Sequence, residues 1–205
     1  MVRAMERMSL TGRRWSTPLL SGNFSDPQAL AGALAQMRGL TDVTKGIRLT
    51  LSSPMLFPEM GRACDRIRDA VTRQEKILIF GDYDADGVTA TALLLRCLLR
   101  HGANIDAFLP HRERDGYGMK EKHITACANA GMHLIITVDT GIVAHKEIEQ
   151  ANAAGIDVIV TDHHTPLQGR PPAHSVLHPT IPAVFPNAHL AGAGVAFHLV
   201  RALEE

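Results

Sequence analysis

Between Gly81 and Gly87 three aspartates alternate with other residues, as Asp82-Tyr83-Asp84-Ala85-Asp86. Far downstream come His111-Arg112-Glu113-Arg114-Asp115, then Asp139, then Asp162-His163-His164. Carboxylates a few ångströms apart repel one another and take up protons unless a cation sits among them. A divalent metal removes that conflict. With Asp139 and one or two imidazoles added, the donor set is oxygen and nitrogen without sulfur, which suits Mn²⁺ or Mg²⁺ better than structural Zn²⁺, and the histidine favours manganese. Two such ions can hold the attacking and leaving oxygens of an in-line phosphoryl displacement and acidify water between them, which points to hydrolysis rather than transfer.

Each segment also has a plainer reading. The run from Asp82 opens like an EF-hand loop, but its twelfth position is Leu93 rather than a bidentate Glu, and a strand rather than a helix precedes it. Its acids also suit a turn and a helix N-cap, and Asp139 before Thr140-Gly141 suits a turn. A His-His pair is often a surface loop, although Asp162 beside it can orient a ligating ring. Arg112 and Arg114 are either solvated charges or planar clamps for phosphate, held by the Asp115-Gly116-Tyr117-Gly118 turn. Gly192-Ala193-Gly194 opens a helix whose amides suit phosphate or, more simply, close packing. Trp15 reads as core rather than a stacking platform for bases.

The elements that must position these residues follow from periodicity. Apolar runs at 76–80, 105–109, 134–138 and 158–161 have strand length, with a fifth at 175–177. Helical stretches at 88–100, 120–130 and 144–154 separate them and close on Gly102, Gly131 and Gly155, where a left-handed cap is favoured. A helix over 57–72 precedes the series and one over 194–204 ends it. This alternation predicts an α/β fold, a mainly parallel sheet of about five strands with helices on both faces. Ligands of open parallel sheets bind beyond the carboxyl ends of the strands, and the four polar segments all fall there. Before residue 55 only a short helix over 27–37 is expected, in an irregular lead-in.

Composition sets limits on partners. Lys plus Arg number 21 and Asp plus Glu number 21, so any groove for nucleic acid is local rather than a general basic surface. Cys64, Cys97 and Cys127 are widely spaced and odd in number, and are expected as buried free thiols in a reducing cytoplasm. Neither a secretory pattern nor a membrane span is evident.

Taken together, Gly81-Asp-Tyr-Asp-Ala-Asp-Gly-Val88, Arg112-x-x-Asp115-Gly-Tyr-Gly118, Val138-Asp-Thr-Gly-Ile142 and Asp162-His-His164 resemble the first four motifs of the DHH phosphoesterases. The likeness runs to the RecJ-type exonucleases, and extends to His178-Pro179 and 190–197. It implies residues 56–205 as the DHH domain, with 1–55 as the lead-in. It implies Asp84, Asp86, Asp139 and His163 as metal ligands, with Asp82 a further one and Asp139 bridging two Mn²⁺ or Mg²⁺ ions. Arg112 and His164 would grip the phosphate, and Asp162 would support the histidines. The implied activity is 5′ to 3′ hydrolysis of single-stranded DNA in repair or recombination. A nuclease for short oligonucleotides, a small-molecule phosphatase, or a silent relic that binds nucleic acid or a protein partner are the alternatives.

Two residues depart mildly from the family pattern, Thr140 and His111, where relatives commonly have Asn. The larger departure is that relatives carry a further aspartate ligand and a second, closing domain beyond the DHH motif, whereas this sequence runs only to Glu205. The expectation is weaker binding of at least one metal and of the nucleic acid, unless Asp115 or an acid from a second chain or partner completes the set.

Overall fold

The computed structural model describes residues 6–8, 14–16, 51–182 and 185–205. The chain divides into two units, Met1–Leu51 and Ser52–Glu205. In the first, strands β1 (Glu6–Met8) and β2 (Arg14–Ser16) pair antiparallel, Glu6 opposite Ser16 and Met8 opposite Arg14. The sequence carries no signal for this pairing, because three-residue strands are too short to show an alternation. The helix expected over 27–37 lies outside the described residues.

The second unit is a five-stranded parallel sheet in the order β4-β3-β5-β6-β7. Its strands are β3 (Ile77–Phe80), β4 (Ile105–Phe108), β5 (Leu134–Val138), β6 (Asp157–Thr161) and β7 (Ser175–Leu177). A 3₁₀ turn (Pro54–Leu56) leads into α1 (Met60–Thr72), and α2 (Ala85–Arg100), α3 (Glu121–Asn129), α4 (His145–Ala153) and α5 (Gly192–Glu204) follow in chain order. The expected glycines end α2, α3 and α4 with φ of 74°, 68° and 75°, a conformation from which glycine has no Cβ to exclude it.

Both faces of the sheet are covered, which explains why its central strands read as continuous apolar runs rather than as alternations. Ile77, Ile79, Leu134, Ile136, Val138 and Ile159 face one way and pack with residues of α1, α2 and α5, among them Ile67, Leu94 and Leu199. Their neighbours Leu78, Phe80, Ile135, Val158 and Val160 face the other way, onto Ile124 of α3 and Ile148 of α4. The edge strand β4 is half exposed, and its carboxyl end leads into the Arg112 turn.

Strand order decides where the site lies. From β3 the chain moves outward through α2 to β4, then returns through α3 to the opposite side of β3, where β5 pairs with it. Helix α2 leaves on one face and α4, which follows β5, leaves on the other. The two connections therefore diverge above β3 and β5 and open a crevice at their carboxyl ends. Asp82 follows β3 and Asp139 follows β5, so the aspartate segments flank that crevice. No helix among the described residues is long and apolar enough to cross a membrane.

Leu94 is fully buried between α2 and the helices beside it. Leu94→Ala should lower unfolding stability by about 2–5 kcal/mol, read as a lowered urea midpoint with an unchanged slope.

Candidate metal centre

The polar segments meet above β3, β5 and β6. One donor atom from each of Asp82, Asp84 and Asp139 lies within 4.8 Å of the others, and the same holds for Asp139, His163 and His164. Asp139 belongs to both groups and is their pivot. It sits immediately after β5 with φ of 59°, a left-handed conformation that costs a non-glycine residue about 1–3 kcal/mol and is retained where the surroundings demand it. Its side chain is buried, and Oδ1 has no hydrogen-bond partner among the described residues. His163 Nε2 is 3.1 Å from that oxygen without forming a hydrogen bond to it. A buried carboxylate oxygen facing an imidazole nitrogen in this way is the environment that a shared cation satisfies, and the all-oxygen-and-nitrogen donor set suits Mn²⁺ or Mg²⁺.

The first aspartate segment is arranged by the start of α2. Asp84 is the N-cap, its Oδ1 accepting from the amides of Asp86 and Gly87 at 3.0 Å each. Asp82 is buried, and its Oδ1 accepts from the Tyr83 amide at 2.7 Å. The helix begins at Ala85 rather than at 88, so Asp86 belongs to its first turn instead of to the preceding loop. The cap and the helix dipole, both favouring an acid at this position, account for the earlier start. The turn and capping roles weighed for these acids are therefore real for Asp84, and they leave its second oxygen for another partner.

Asp86 lies outside both donor groups. Its Oδ2 and Oδ1 accept from the amides of Gly192 and Ala193, each at 2.7 Å, at the start of α5. His163 Nε2 is 3.6 Å from Asp86 Oδ2. The free amides at the start of α5 thus hold a carboxylate of the same chain. Gly192 has a further reason to be glycine, because a Cβ there would collide with Asp139, meeting its Oδ1 and lying 2.6 Å from its Cβ. Close packing is thus the reason for glycine here, and no signal in the sequence identifies the packed group as Asp139.

Asp162, fully buried at the end of β6, organises the histidines. Its Oδ1 accepts from the amides of His163 and His164 at 2.7 and 3.1 Å and lies 2.8 Å from His164 Nδ1, while Oδ2 accepts from the Ile142 amide at 2.9 Å. Burial opposes ionisation of Asp162, but these hydrogen bonds outweigh it and hold its pKa below the ordinary value. In return the bond to Asp162 raises the pKa of His164. Along the chain Tyr117 is part of a turn. Its hydroxyl stands 3.3 Å from His164 Nδ1, a contact between loops that adjacency along the chain does not reveal.

Arg112 is exposed on the neighbouring turn and stacks over the ring of Tyr83 at 4.6 Å, beside the first aspartate segment. Asp115 is committed elsewhere, bonded to Lys122 Nζ at 2.6 Å and to the His111 amide at 2.9 Å. It joins neither donor group.

Comparison with known proteins adds kinship to this geometry. Residues 76–205 match the family model described as DHH family, N-terminal domain. The single-stranded-DNA-specific exonuclease RecJ of Bacillus subtilis is 42% identical over 182 residues, 85% of this chain and 23% of that protein. Its namesake from Thermus thermophilus is 42% identical over 152 residues, 73% of this chain and 22% of that protein. A crystal structure of exonuclease RecJ bound to manganese superposes with a TM-score of 0.69 at 38% identity, over 76% of this chain and 39% of the other. RecJ of Thermus thermophilus in complex with Mn²⁺ gives 0.63 at 34% identity, over 84% of this chain and 24% of the other. The chain spans less than a quarter of the length of these two sequence relatives.

Burial, reinforced by the charge of Asp86, pushes the Asp139 carboxyl up to about 8. Metal-free protein therefore binds a proton there that the unfolded chain has lost above about pH 4, so stability falls as pH rises from about 4 to about 8. Mn²⁺ requires the carboxylate, and its binding near pH 7 should expel that proton. Calorimetry in buffers of different ionisation enthalpy should show proton release, reduced by about one in Asp139→Asn. Gly192→Ala should weaken Mn²⁺ binding about 10–100-fold by displacing Asp139, measured by the same titration.

Proposed function

Because the chain belongs to the DHH family and carries its N-terminal domain over residues 76–205, we propose that it is the metal-binding module of a RecJ-like phosphodiesterase that hydrolyses single-stranded DNA from the 5′ end, in repair or recombination. Its homologues are metal-dependent exonucleases, and RecJ structures hold Mn²⁺ or Mg²⁺. The observation that carries the reading is the pivot at Asp139, a buried carboxylate with an unpartnered oxygen shared between an aspartate group and a histidine group.

In this reading Asp82, Asp84, Asp139 and His163 would hold the cations, with Asp86 completing the set from the first turn of α2 and Asp139 shared between them. Divalent ions bound there supply the positive charge that neutralises phosphate oxygens and makes water a competent nucleophile at neutral pH. The protein's own groups do the positioning. Asp162 fixes the ring of His164 through Nδ1, which leaves Nε2 for a phosphate oxygen, and the same hydrogen bond favours the protonated ring. Arg112, braced on Tyr83, offers a planar fork to the neighbouring phosphate. The formal charge of the chain is zero, so the grip on nucleic acid is concentrated in these few cations and in bound metal.

The test is degradation of 5′-labelled single-stranded DNA with and without Mn²⁺. Asp139→Ala should reduce the rate on the order of 10³-fold, corresponding to about 4 kcal/mol of lost charge stabilisation. Arg112→Ala should raise KM about tenfold with a smaller effect on kcat, as expected for a lost charged hydrogen bond. Absence of Mn²⁺-dependent product, or full activity in Asp139→Ala, overturns the reading.

A further inference from the structure

A second cluster of donor atoms lies at the far end of α2. Cys97 and His101 stand four residues apart, on one face of the helix and at its C-cap, and Glu204, the last residue of α5, reaches across to them. Cys97 Sγ is 3.6 Å from Glu204 Oε1, and His101 Nε2 is 3.5 Å from the same oxygen. One donor from each of the three lies within 4.8 Å of the others. Cys97 lies thirteen residues beyond the Asp84 cap, roughly 20 Å along the helix axis, so the two groups are independent.

The spacing has a chemical meaning. For a tetrahedral zinc ion with ordinary bond lengths, a sulfur and an oxygen ligand sit about 3.6 Å apart and a nitrogen and an oxygen about 3.3 Å apart. The observed separations are close to both of these edges, and the donors of Cys97 and His101 lie within 4.8 Å of one another. We propose that Cys97, His101 and Glu204 form a second cation site, of thiolate, imidazole and carboxylate donors, that takes zinc and ties the end of α5 to the end of α2.

Sulfur and nitrogen donors separate this site from the oxygen-rich centre by metal preference. Cys97 is buried and its thiol pKa is pushed up to about 11 by that burial and by the charge of Glu204, so the thiol is protonated without metal. On binding, the S–H bond breaks, its proton goes to buffer and the sulfur lone pair goes to the metal. Thiolate and carboxylate then neutralise the two charges of the ion. Arg100 Nη1, 3.6 Å from Glu204 Oε1, is the competing partner, but its side chain is 75% exposed, so that pairing is worth little and is readily given up. Three protein donors leave a fourth position, and Cys97 and Glu204 also line a surface groove of about 540 Å³, from which water or a small ligand can fill it.

Cobalt is the probe, because a thiolate ligand gives it a charge-transfer absorption that an oxygen and nitrogen site cannot. Reduced protein held in excess Mn²⁺ is titrated with Co²⁺ and then with Zn²⁺. The expected result is a thiolate band that saturates at one equivalent, is displaced by Zn²⁺, and is unchanged in Cys64→Ser and Cys127→Ser. It should vanish in Cys97→Ser and weaken at least tenfold in apparent affinity in His101→Ala and Glu204→Gln. The last two residues are exposed, so their variants decide the matter even if Cys97→Ser fails to fold. No band in the wild-type protein, or undiminished affinity in both surface variants, overturns the proposal.

Discussion

Five aspartates and two imidazoles crowd one rim of a sheet whose interior is apolar, and most of the local structure is a response to the repulsion this creates. The backbone answers first. Amides at the start of α2 hold Asp84, amides at the start of α5 hold Asp86, and amides after β5 and β6 hold Asp162. These are fixed dipoles that favour negative charge without adding mobile cations. Asp139 receives no such help at Oδ1, and burial raises its pKa accordingly. The conflict is thereby concentrated on one oxygen, where a divalent ion has the most to gain.

The core makes this concentration possible. Two apolar clusters clamp the sheet from both sides, and the strand order places the divergence of connections between β3 and β5. Helix α5 packs in the same cluster as α2, which is why its first turn arrives beside Asp86 and its last residue beside Cys97 and His101. One helix pair thus frames two donor sets of different character at its two ends, one of oxygen and nitrogen, the other including sulfur. The proposed activity rests on the first of these sets.

Much of the architecture was legible along the chain. Strand-length runs of branched apolar residues, each followed by a helical stretch ending in glycine, admit few arrangements other than a covered parallel sheet, and Ile77–Phe80, Leu134–Val138 and Ser175–Leu177 fall within a residue of the expected bounds. Boundaries moved where capping outweighed periodicity. Helix α2 starts three residues early because Asp84 caps it, and α5 starts two residues early because its first amides meet Asp86. The pairing of β1 with β2 carried no readable pattern.

By itself the sequence determined the types of donor available, their placement just after strands, and the parallel sheet that brings such strand ends to one edge, since these follow from local periodicity and side-chain chemistry. Only the tertiary structure decided that Asp86 is held by the start of α5, that Tyr117 meets His164, and that Glu204 reaches Cys97 and His101. Those contacts join residues up to 107 positions apart. Their distances depend on strand order and helix packing, which the pattern of any one segment does not contain.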